Sequence, residues 1–183
     1  MPGGGLPGGG SAMVDVVWLK KDLRLHDHAP LCEAAASGRP FVVAYFYEPD
    51  QLAHHSVHGS HVAFANEGLA DLDARLAAGA EAGAWSKDAS AHVRPGLRSI
   101  SVLRGEATRC LERLRAAHGV ARLLAHEETG HLASYARDRR VRRWCRDRGV
   151  EFAEFSQTGV TRRLSTRDDF SKRYNAWVSA PQR

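Results

Sequence analysis

The sequence predicts an α/β fold: a five-stranded parallel sheet with helices on both faces, in three layers. Apolar β-forming runs alternate with helix-periodic segments along most of the chain. The main apolar runs are continuous, as suits strands covered on both sides. With 183 residues, 43% hydrophobic and 26% charged, the chain is long and apolar enough for one domain with a real core.

Residues 1–12, "MPGGGLPGGGSA", are Gly/Pro-rich and are expected to form a disordered tail. No strand precedes them and no Gly-Lys-Ser/Thr follows, so they are not a phosphate loop. The folded part begins near Met13, and an α/β domain is expected over 13–164. "MVDVVWL" reads as the first strand. "APLCEAAAS" follows as a helix, stopped by Gly38 and Pro40, and "FVVAYFY" is the second strand. Residues 60–78 form an amphipathic helix, with Ser60 placed to cap it and Val62, Phe64, Leu69, Leu72 and Leu76 in its apolar stripe. Residues 79–99 have no period and read as a loop insertion. "ISVLRG" is the third strand and "EATRCLERLRAAHG" the next helix. "VARLLAH" is the fourth strand, "HLASYARDRRVRRWCRDRG" a basic helix, and "VEFAEFS" a last strand near an edge. Residues 165–183 hold a terminal helix, with Ser165 or Thr166 as N-cap. Its Phe170, Tyr174, Trp177 and Val178 share one face by their spacing.

The bulk numbers narrow the classes. No secretory signal is expected, and "FVVAYFY" is too short to span a bilayer. The three cysteines, Cys32, Cys110 and Cys145, lack a CxxC spacing, which predicts reduced thiols and an intracellular setting. The net charge of +5 is uneven, the carboxyl half being strongly basic. Much of the excess lies on the 131–148 helix, read here as a solvated face, with a nucleic-acid surface as the competing reading.

In such a sheet, ligands bind beyond the carboxyl ends of the strands. The loops to inspect are therefore 19–28, 47–59, 104–107, 126–131 and 156–164. The first, Lys20-Lys21-Asp22-Leu23-Arg24-Leu25-His26-Asp27, has no glycine, which excludes a standard NAD or FAD Rossmann turn. Its charges offer ion-paired surface to something that docks, or else pair locally and cap the next helix. Glu127 and Glu128 precede a helix N-terminus. They read as ordinary first-turn acids, or as acceptors for a bound ligand. "HHSVHGSH", 54–61, has zinc-like spacing but no accompanying Cys, Asp or Glu, so no metal site is expected. No acid/base pair or other catalytic set is recognisable in this chain.

"WLKKDLRLHDHAPL" nevertheless is a specific string. It resembles the opening "W-[FL]-[RK]-[RK]-D-L-R-L-x-D-N-P-A-L" of the photolyase/cryptochrome flavoproteins, with His28 where asparagine is usual. "VVAYFYEPDQL", "LADLDARL", "HEETGHLASYARDRRVRRWCRDRGVEF" and "SQTGVTRRLSTRDDFSKRYNAWV" continue the resemblance, interrupted at 79–99. It implies the N-terminal antenna domain, Rossmann-like in form, of a DNA photolyase (a lyase) or a blue-light cryptochrome. It also implies a folate- or flavin-type antenna chromophore, with Lys20, Lys21, Asp22, Glu127 and Glu128 as binding residues. Asp22, Arg24, Phe170, Tyr174 and Trp177 would dock a helical FAD-binding domain, or a split partner. That domain holds the family's FAD and DNA-lesion sites, so this sequence is expected to lack the FAD pocket, to meet DNA only indirectly and to be inactive alone. The alternative is a stand-alone nucleotide- or pigment-binding module that acts through a partner protein.

Overall fold

The computed structural model describes residues 13–81, 99–130, 132–160 and 166–181. The expected tail at 1–12, most of the 79–99 insertion and Ser165 lie outside the described residues. Five strands, β1 (Val14–Leu19), β2 (Phe41–Tyr47), β3 (Ser101–Arg104), β4 (Val120–His126) and β5 (Glu151–Phe155), form one sheet. All pairings are parallel and the order is β3-β2-β1-β4-β5, with β1 in the centre. The chain steps outward from β1 to β3, then returns to β4 beside β1. The order reverses there, and the connections leaving β1 and β4 run to opposite sides of the sheet order.

Six helices are described: α1 (Ala29–Ala36), α2 (Pro49–Leu52), α3 (Gly59–Glu81), α4 (Ala107–His118), α5 (Leu132–Arg148) and α6 (Asp169–Val178). Alternation along β1 feeds two cores. Val14, Val16 and Trp18 pack with Leu111 and Leu114 of α4 and Val141 and Trp144 of α5. Val17 and Leu19 pack on the other face with Leu31 of α1 and Leu69 and Leu72 of α3. The expected three layers are present. Asp15, the one charged residue of β1, is fully buried, and Arg122 of β4 holds it at 2.6 Å, with Ser37 donating at 3.1 Å. Arg122 also reaches Glu33 of α1, so the ion pair ties two strands to a helix.

Several local expectations change. Phe64 is 76% exposed. It lies about 80–140° around the helix from Leu69, Leu72 and Leu76, outside their stripe. The cap before α3 is His58, whose Nδ1 accepts the Ser60 N–H at 3.2 Å, and Ser60 lies inside the helix. Residues 49–52, read as loop, form α2, where Pro49 suits a first turn. Helix α3 continues to Glu81, past the expected start of the insertion. Asp168 precedes α6 with a helical backbone and no side-chain cap. Thr166 donates instead to the Asp169 carboxylate at 3.1 Å.

Candidate functional site

The point of strand reversal is filled by a buried polar cluster. Asp22, just past β1, is fully buried. Its carboxylate accepts the Lys20 N–H at 2.6 Å and faces His126 Nδ1, at the end of β4, at 2.7 Å. His28 Nε2 lies 3.1 Å from the same carboxylate. Burial would raise the Asp22 pKa. The contacts from His126 and His28 and the Lys20 N–H outweigh it and hold the carboxyl well below the usual carboxylate range. His28 also caps α1, its Nδ1 accepting the Leu31 N–H at 3.2 Å. That bond places the ring proton on Nε2, the nitrogen nearer Asp22.

Asp22, His28 and His126 bring ligand-type atoms within 4.8 Å of one another, as a metal would need. The cap at His28 Nδ1 argues against that use, because a ring with its proton on Nε2 has no lone pair there. The histidines of 54–61 are turn formers instead. His54 Nδ1 accepts from Ser56 and His58 Nδ1 from Ser60.

A second network lies beside the first. Lys20 donates to the His126 carbonyl at 3.0 Å and to Asp138 at 3.1 Å. Arg137 donates to Asp138 at 3.0 Å and to Glu48 at 3.0 Å, and its Nη2 stands 3.6 Å from Glu128. Lys20 and Arg137 both sit over the Trp18 ring, at 4.5 and 4.9 Å. Burial lowers the Lys20 pKa even with Asp138 beside it. Burial likewise raises Glu48, against the pull of Arg137. Lys21, largely exposed, closes the series on Glu128 at 3.5 Å.

Against this network opens a cleft of about 640 Å³. Trp18 and Leu19 of β1 and Tyr45, Phe46 and Tyr47 of β2 line it beneath. Lys20, Lys21, Asp22 and Arg24 line one side, and His61, Val62, Phe64 and Ala65 of α3 the other. Glu48, Glu128 and Arg137 supply the charged wall. Tyr47 donates to Asn66 and ties the sheet to α3. Burial pushes the Tyr45 hydroxyl up to about 12, so it stays protonated and can donate. Arg137 Nη2 is buried behind this wall, 2.9 Å from Asp138 and 3.6 Å from Glu128.

Lys20, Lys21, Asp22 and Glu128, expected from the sequence to form a binding site, therefore all border one cleft. Glu127 does not; its backbone N–H continues the sheet, bonding the Phe155 carbonyl at 2.8 Å. Lys20 and Asp22 already hold internal partners. Asp22 offers no surface to a docking partner because it is fully buried. Arg24 folds over its own turn, donating to the His26 and Asp27 carbonyls. Asp22 and Arg24 form no ion pair with each other and meet only through the Arg24 N–H on the Asp22 carbonyl at 2.8 Å, and the helix cap comes from His28. Phe170, Tyr174 and Trp177 of α6 remain 42%, 42% and 40% exposed. Tyr174 and Trp177 rest on Gly159, where a side chain would collide with the Tyr174 ring.

The sequence reading missed His28, Glu48, His126, Arg137 and Asp138. The last two had a signal: Ser134, Arg137, Asp138, Val141, Trp144 and Cys145 follow the helical period of one inward stripe.

Comparison with known proteins places this geometry. The DNA photolyase family matches residues 15–81. Cryptochrome DASH of Synechocystis sp. (strain ATCC 27184 / PCC 6803 / Kazusa) is 43% identical over 53 residues, 29% of this chain and 10% of that protein. Among solved structures, an archaeal photolyase from Sulfolobus tokodaii, crystallised with two FAD molecules, aligns over 93% of this chain and 36% of its own. The TM-score is 0.66 at 22% identity. A bacterial class III photolyase from Agrobacterium tumefaciens aligns over 86% of this chain and 29% of its own, with TM-score 0.65 and 23% identity. The chain thus spans about a tenth of the curated relative and about a third of these structures. In sequence over 15–81 and in fold over most of its length, it resembles the photolyases and cryptochromes and corresponds to their N-terminal α/β domain.

Proposed function

We propose that this chain is a light-gathering unit of a photolyase- or cryptochrome-type flavoprotein and holds a flat antenna chromophore in the cleft above β1 and β2. The observation that carries this reading is the cleft itself. It has aromatic walls and a charged end formed by Glu48, Glu128 and Arg137. The Sulfolobus photolyase, described as implying a novel light-harvesting cofactor, has a similar fold. Tyr45 and Phe64 would flank the ring, while Arg137 and Glu128 would meet its polar edge. Such a group absorbs light and passes the excitation to a flavin elsewhere.

Equilibrium dialysis of the intact chain against a folate, FMN and FAD tests this. One of them should bind one-to-one. Ala65→Trp, which fills the cleft from α3, should weaken that binding at least tenfold. If none of the three binds, or if Ala65→Trp binds equally well, the reading fails.

We also propose that 13–164 is the α/β domain and that α6 leads toward a separate helical flavin-binding domain. Partial exposure of Phe170, Tyr174 and Trp177 supports this. The Phe170→Ser/Trp177→Ser double variant should raise solubility. It should destabilise the chain by well under the ~3–5 kcal/mol expected for each fully buried aromatic. Thermal melts of the two proteins measure the difference, and a loss at or above that range would assign the helix to this domain's own core.

A further inference from the structure

We infer that the outward face of α4 and α5 is a docking surface for the phosphate backbone of a double-stranded nucleic acid. This face lies across the sheet from α1 and α3 and takes no part in the cleft. Arg139, Arg143 and Arg146 recur at i, i+4 and i+7 on the side of α5 turned from the core, and Arg109 and Arg113 recur at i, i+4 on α4. Between them the two helices carry nine arginines outside the core and no lysine, against two acids outside the core, Glu112 and Asp147.

Those acids are already engaged. Glu112 accepts from Arg115 and Arg148 as well as the Trp144 indole, and Asp147 accepts from Arg146. Arg109, Arg113, Arg139 and Arg143 are exposed and make no ion pair among the described residues. The Glu112 bonds join α4 to α5, so the arginine rows keep a fixed relation.

The chemistry selects the partner. A small anion would meet one or two of these guanidinium groups, whereas an extended polyanion engages both rows. Guanidinium forks match phosphate oxygens in pairs of hydrogen bonds. The aromatics of the two helices, Tyr135 and Trp144, are half-buried and buried, leaving no exposed ring to stack unpaired bases. Leu132 is the one large apolar side chain exposed on these helices, too little to seat in a membrane. A duplex fits, read by charge and not by sequence.

The test is anisotropy of a labelled random-sequence DNA duplex with the intact chain. Engaging about four phosphates predicts roughly hundredfold weaker binding as salt rises from about 50 to 200 mM. R109Q/R113Q and R139Q/R143Q, each verified as folded by its melting curve, should each remove about half of the log–log salt slope. Arg75→Gln, on the exposed surface of α3, should leave it unchanged. An unchanged slope in both double variants overturns the proposal. Tighter binding to phosphatidylserine vesicles or polyglutamate than to the duplex at equal salt also overturns it.

Discussion

Asp138→Ala is expected to destabilise the fold by about 3–5 kcal/mol, because it leaves two buried cations without their shared carboxylate. Asp138 is 1% exposed and receives Lys20 and Arg137 at 3.1 and 3.0 Å. Both cations are largely shielded from water: the Lys20 side chain is 4% exposed and the Arg137 side chain 7%. Glu48 and Glu128 still face Arg137, and the Trp18 ring both cations, which softens the loss, but Lys20 keeps no other carboxylate within ion-pair distance among the described residues. A loss of this size is a large share of an ordinary domain's stability. Urea denaturation at neutral pH measures it. The Lys20→Met/Asp138→Leu pair should recover a good part, since an apolar pair of similar bulk often replaces a buried ion pair without penalty. A loss below ~1 kcal/mol for Asp138→Ala would show that the network does not bear on stability.

Asp22→Asn should reduce stability at neutral pH by roughly 2–3 kcal/mol and flatten the acid limb of the stability curve. The folded Asp22 carboxyl is more acidic than an unfolded one. Its stabilisation is therefore complete above the ordinary carboxylate range, near pH ~4, and is lost as pH falls through the lower folded value. Asparagine does not ionise, so this part of the acid sensitivity disappears. Denaturant midpoints for both proteins from neutral pH into strong acid give the comparison. Parallel acid limbs would mean that Asp22 is not the group being titrated.

The framework was readable because its signal is local. "FVVAYFY" and "VARLLAH" became β2 and β4 at the predicted residues, since an unbroken apolar run flanked by turns specifies a covered strand without outside help. Topology pointed to the carboxyl end of the sheet, and Lys20, Lys21, Asp22 and Glu128 border the cleft found there, although it opens over β1 and β2 and the reversal between β1 and β4 is filled by the polar cluster. Its internal wiring did not follow. His28 and His126 are ordinary in their own stretches and acquire a role only when β1 lies beside β4. Arg137 and Asp138 were hidden by their neighbours: in so arginine-rich a helix, composition suggested solvent while the period pointed inward. Phe64 failed in the opposite way. Its apolar character placed it in the core, but its angle on the helix turns it toward the cleft.

The bonds that close the strand-reversal cluster span long stretches of chain: Asp22 meets His126 across 104 residues and Lys20 meets Asp138 across 118. Such contacts are made late, because the intervening loop must close first. During synthesis, β1 emerges well before β4 and α5 exist to neutralise its charged turn. The strand can pair early with β2, its neighbour in sequence, and completes its other edge only when β4 arrives. Interactions absent from the rate-limiting step govern unfolding more than folding. Asp138→Ala should therefore leave the refolding rate nearly unchanged and appear chiefly as faster unfolding, so the ion network acts as a latch that sets how long the assembled domain persists.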